Sequence, residues 1–193
     1  MGFDNQEVIL PERANDSKNK TWAHVASNSK KIVTFLDLCG HEKYLKTTMF
    51  GLVGLMPDYC MVIVGANMGV SRMTREHIGI TLALKIPLFI VITKIDIAPK
   101  NVYEETLNTL QRIMKHPNVN KTPIFVQEND KVKDLADNLS SNVVAPIFAI
   151  SNVTGQGLPK LKEFLSHMGS RALMSGLFQS PKDPVEFYID GIY

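Results

Sequence analysis

Between Ile32 and Leu165, short apolar runs alternate with longer amphipathic ones, and this alternation limits what the chain can fold into. Ile32-Val33-Thr34-Phe35-Leu36, Tyr59 to Val64, Leu88 to Ile92, Pro123 to Val126 and Pro146 to Ile150 each read as a short buried strand. Helical spacing fills the intervals over residues 42–55, 74–84, 102–115, 132–139 and 158–165. In the third of these, Val102, Leu107, Leu110, Ile113 and Met114 fall mostly on one side. Strands that are apolar throughout, separated by helices, predict an α/β fold: a doubly wound, mostly parallel sheet covered on both faces. In such sheets ligands bind beyond the carboxyl ends of the strands. The polar residues just past each strand are therefore the candidates for function.

Composition removes several classes. The chain has 193 residues, 45% of them apolar, enough for a full core without disulfides or metals. Its formal net charge of +2 gives no electrostatic case for DNA or a membrane surface. No apolar run approaches the roughly 18 residues that a membrane span needs. Cys39 and Cys60 have no ligand-like spacing, and the opening MGFDNQEV lacks the parts of a signal peptide. A cytoplasmic protein is expected. Residues 1–31 read as a polar segment, mostly loop, with Val8-Ile9-Leu10 as a possible edge strand.

Three polar groups stand at strand ends. The first strand runs into Asp37-Leu38-Cys39-Gly40-His41, the third into Thr93-Lys94-Ile95-Asp96, and the last core strand into Ser151-Asn152-Val153. Singly, D-x-x-G or K-x-D is common by chance. Their order and placement carry the signal, because they match a guanine-nucleotide-binding domain. DLCGHEKYLKTT resembles the corresponding segment of translation-factor GTPases, and GANMGVSRMTREHIGITLALKIPLFIVITKID is similar to theirs from strand to base motif. Through HEKYLKTTMFG, TREHIGITLAL, TKIDIAP and ISNVTG the chain looks closest to the GTP-binding protein 1 and 2 branch of the elongation factor Tu-like superfamily.

That resemblance implies GTP or GDP with Mg²⁺ as ligand, and GTP hydrolysis as activity. Asp96 would accept hydrogen bonds from guanine N1 and its exocyclic amine, which adenine cannot donate. The stem of Lys94 would lie along the purine, Thr93 would brace the loops, and a backbone N–H near Asn152 would meet the guanine O6, with Ser151 and Val153 flanking it. Asp37 would hold a water of the magnesium shell. Gly40 would let the backbone approach the γ-phosphate, and His41 would orient the attacking water. The wider family has Asn where Thr93 stands. Ribosome- or RNA-associated machinery is the partner implied for the complete protein.

One element of that family is missing from the sequence: it contains no G-x-x-x-x-G-K-[ST] phosphate-binding loop. MGFD resembles the segment just after the first switch, so a partial domain without strand one, helix one and switch one is expected. Losing about four charge-assisted bonds at about 1.5–3 kcal/mol each would remove about 6–12 kcal/mol, or roughly four to nine decades of affinity. The chain alone is therefore expected neither to hydrolyse GTP nor to fold stably. The expected layout is a polar segment over 1–31, the partial domain over 32–168, and a linker leading into a β-barrel domain over 169–193.

Blander readings stand beside these. A non-catalytic pseudo-GTPase interaction module is the alternative function, and an RNA-binding domain, without a basic stripe, ranks last. Cys39 is expected to be small and buried, and Met49, Met56, Met61 and Met68 to fill the core. Asn118 to Asn142 reads as a surface insertion.

Overall fold

The computed structural model describes residues 1–4, 7–9 and 22–171. The described elements are β1 (Gly2–Asp4), β2 (Glu7–Ile9), α1 (Trp22–Asn28), β3 (Lys31–Ile32), a 3₁₀ turn (Glu42–Tyr44), α2 (Leu45–Gly54), β4 (Cys60–Gly65), α3 (Arg72–Ala83), β5 (Leu88–Thr93), α4 (Lys100–Lys115), β6 (Thr122–Phe125), α5 (Val132–Leu139), β7 (Val144–Ala149) and α6 (Leu158–His167). β4, β5, β7 and β6 form a four-stranded parallel sheet in that order. The α/β architecture expected from the alternation of strands and helices is what the chain adopts.

Alternation along each strand divides the core into two layers. Phe89 and Val91 point with Phe148 toward α5 and α6, where Val132, Ala136, Leu139, Phe164 and Leu165 cover them. The stretch from Asn118 to Asn142 is thus part of the core through β6 and α5, and not the surface insertion expected. Leu88, Ile90 and Ile92 point the other way, toward Ile78 of α3 and Leu110 and Met114 of α4. All five β5 residues from Leu88 to Ile92 are buried, as a central parallel strand requires. Helix α3 begins at Arg72 because the Ser71 hydroxyl accepts the Thr74 N–H at 3.1 Å. Gly157, at φ +72°, lets the chain turn tightly into α6, since a Cβ there would lie 2.1 Å from the Ala149 carbonyl oxygen.

The N-terminal part departs from the expected loop and strand. β2, β1 and β3 form a small antiparallel sheet, and β2 is an edge strand as its apolar cluster suggested. Of the predicted strand over 32–36 only Ile32, with Lys31 before it, is extended in a ladder, and Phe35 and Leu36 are exposed. The reason is a missing neighbour. Among the described residues no strand bridges this segment to β4, so it pairs with β1 instead. Among the described residues the outer side of β4 is thereby left without a partner strand in the parallel sheet. Ile63 on that strand is 51% exposed, and Met49, Met56 and Met68 also face solvent instead of filling the core; Met61 alone is partly buried. Cys39, expected to be buried, is also exposed. The strand-like run at Val185 to Ile189 lies outside the described residues.

One lysine ties the small sheet to the end of α6. The Lys31 ammonium donates to Leu165 O at 2.6 Å, Ser166 O at 3.0 Å and Met168 O, the free carbonyls at the end of α6. Burial lowers its pKa from 10.5 to about 8, so at neutral pH it keeps the proton and all three donors. Lys31→Met is expected to leave those carbonyls unpaired and cost about 1–3 kcal/mol. Urea denaturation at pH 7 checks this, and a loss confined to surface-mutation size would show the tie to be incidental.

Candidate functional site

The loops after β5 and β7 leave neighbouring strand ends. Ile92 is in register with Ala149, and Ile150 N–H donates to Ile92 O at 2.8 Å, so Thr93 to Asp96 and Ser151 to Val153 emerge side by side. The second loop is closed by its own first residue. Ser151 is fully buried, and its hydroxyl accepts from Val153 N–H at 3.2 Å and Thr154 N–H at 3.1 Å. Gly155 N–H returns to Ser151 O at 3.0 Å, and Ser151 N–H donates to Gln156 O at 3.0 Å. Asn152 and Val153 stand exposed at the tip. Ser151 is thus a structural residue of the loop.

Lys94 carries the local strain. Its φ of +61° is a left-handed conformation that lysine seldom adopts, and it turns the chain sharply after β5. Lys94 and Asp96 are both exposed. Thr93 remains in the strand, with its hydroxyl 3.5 Å from Val64 O on β4. It braces the adjacent strand rather than the second loop. Sequence reasoning missed a cavity of about 350 Å³ on the β6 side of these loops, bordered by Ile95, Tyr103, Gln127, Gln156 and Lys160. Neither Lys94 nor Asp96 lines it, and no motif marks it.

The Asp37–His41 segment is held by α2 and α3. Thr48 Oγ1 donates to Cys39 O at 2.6 Å, and Glu42 is 3.8 Å from the Arg72 guanidinium of α3. His41 caps the 3₁₀ turn: its Nδ1 accepts the Lys43 N–H at 3.1 Å, which leaves Nε2 to carry the proton in the neutral ring. Asp37, Gly40 and His41 are exposed. Among the described residues no hydrogen bond or ion pair joins this segment to the loops after β5 and β7. No cluster of three acidic, histidine or cysteine side chains suited to a metal occurs among the described residues either. The lone Asp37 carboxylate fits one water of a Mg²⁺ shell, and does not by itself hold the ion.

A family model described as the elongation factor Tu GTP binding domain matches residues 12–170. GTP-binding protein 1 of Xenopus laevis is 46% identical over 193 residues, a match covering 100% of this chain and 29% of the relative. Human GTP-binding protein 2 is 38% identical over 194 residues, covering 100% of this chain and 32% of the relative. The chain thus spans about a third or less of these relatives' lengths. Among solved structures, translation elongation factor SelB of Methanococcus maripaludis, in complex with the GTP analogue GppNHp, matches at 23% identity with a TM-score of 0.49, over 67% of this chain and 24% of that one. On the family match and the full-length similarity to these relatives, the chain belongs to the elongation factor Tu GTP-binding domain family.

Proposed function

We propose that this chain is the base-recognising and γ-phosphate-facing part of a GTP-hydrolysing domain, acting in the cytosol on a translation-related pathway. The observation that carries the reading is the side-by-side emergence of the Thr93–Asp96 and Ser151–Val153 loops from adjacent strands. There the Asp96 carboxylate accepts from guanine N1–H and the exocyclic amine. The Lys94 stem covers the purine face, and a backbone N–H near Asn152 donates to O6. Asp37 holds a magnesium-bound water, the Gly40 N–H meets the γ-phosphate, and the His41 Nε2 side orients the attacking water. Mg²⁺, when bound, neutralises charge on the phosphates. GTP is the small-molecule partner, and ribosome- or RNA-associated machinery the macromolecular one.

The chain alone binds GTP weakly and does not turn it over, because no phosphate-binding loop is present in its sequence. The unpaired edge of β4 and its exposed Ile63 support this reading, since a parallel strand there would complete the sheet beside Asp37. The pseudo-GTPase module is the second reading, and the exposed apolar face of α2 at Met49, Phe50 and Val53 favours it.

Equilibrium binding with fluorescent GTP, GDP and ATP, together with phosphate release, tests both parts. The 193-residue chain is expected to prefer guanine over adenine, to bind weakly, and to release no phosphate. Absence of any guanine preference would remove the base-site assignment. Tight binding with turnover would overturn the claim that another segment must complete the site.

A further inference from the structure

We infer that Thr48 is a positioning residue that aims the Gly40 N–H, an inference resting on the reading of Asp37–His41 as the γ-phosphate-facing turn. Thr48 lies on α2 and is 5% exposed. Its hydroxyl donates to Cys39 O at 2.6 Å and lies 3.3 Å from Tyr44 O, at the end of the preceding 3₁₀ turn. Cys39 C=O and Gly40 N–H belong to one planar trans peptide, so they point in opposite directions. Fixing the carbonyl onto α2 therefore turns the amide hydrogen away from the helix.

Nothing obstructs it there. Gly40 is exposed, its N–H has no partner among the described residues, and a methyl group on Gly40 would meet only His77 Cε1, at 4.0 Å. A second contact on the same helix face supports the same orientation. Leu38 packs over Gly51, where a Cβ would fall 2.6 Å from its Cδ2. Positions 48 and 51 are one helical turn apart, so two consecutive residues of the turn are seated on a single face of α2. A preorganised donor of this kind costs no rearrangement when an anion arrives. Thr48 touches no nucleotide atom; it acts through the peptide it holds.

The test follows the Gly40 amide by ¹⁵N NMR in the full 193-residue chain, titrated with millimolar GTP and GDP in the presence of Mg²⁺. In the wild type, Gly40 is expected to respond more to GTP than to GDP. Thr48→Val keeps the shape but removes the hydroxyl. It should reduce that GTP-over-GDP difference several-fold while the responses of Asp96 and Asn152 stay unchanged, and Thr48→Ser should restore it. Amides of Ile90 and Val91 report whether the sheet is intact; should the valine disturb them, Thr48→Ala carries the same comparison. A wild-type response at Gly40 in both hydroxyl-free variants overturns the inference, as does base-loop binding without any Gly40 response in the wild type. If Asp96 and Asn152 do not respond in the wild type, the nucleotide reading itself falls, and the inference with it.

Discussion

Phe164→Ala is expected to cost about 3–5 kcal/mol of folding stability. Phe164 is fully buried on α6 and closes an aromatic cluster with the two central strands. Its ring centroid lies 5.2 Å from that of Phe89 on β5 and 4.9 Å from that of Phe148 on β7, while those two meet edge to face at 6.3 Å. Truncation removes the burial of the ring, leaves a cavity in a layer already close-packed, and deletes two aromatic contacts of about 0.5–1.5 kcal/mol each. Urea denaturation of wild type and variant gives the difference. Phe164→Leu should recover a large part of it, because leucine refills most of the volume. A loss near that of an ordinary surface substitution would mean that α6 is not anchored through this ring.

Asp96→Asn is expected to abolish the guanine preference. Two hydrogen bonds from guanine to a carboxylate, at about 1.5–3 kcal/mol each, amount to about 3–6 kcal/mol, or roughly two to four decades in affinity. Asparagine presents an amide N–H to the exocyclic amine of guanine, donor against donor. The same N–H suits xanthine, which carries an oxygen at that position. Competition between fluorescent guanine and xanthine nucleotides is therefore the decisive reading. Binding should fall for the first and rise for the second, with the sheet intact by circular dichroism. Unchanged guanine preference in the variant would show that base identity is read elsewhere.

The loops after β5 and β7 were legible in the sequence because each depends on residues adjacent in the chain. A buried strand delivers Thr93, Lys94 and Asp96 in order, and Ser151 folds its own loop through contacts two and three residues ahead. The strained backbone of Lys94 was not legible, since nothing in its side chain signals a positive φ. The first polar group was read less well. Its residues resemble the family's, yet the run over Ile32 to Leu36 does not enter the parallel sheet. Apolar, β-branched character says that a segment suits a strand, and says nothing of which neighbour it will have.

The same division holds across the molecule. By itself, the sequence determined the α/β class and the apolar side of α4, because periodicity acts over one or two turns. Tertiary structure alone decided that β4 would be an edge, that Lys31 would reach carbonyls more than 130 residues away on α6, and that Thr48 would hold the Cys39–Gly40 peptide. It also left Cys39 and several methionines exposed. Burial is a property of a position and its neighbours. Where the neighbour is remote in sequence, no local pattern can report it.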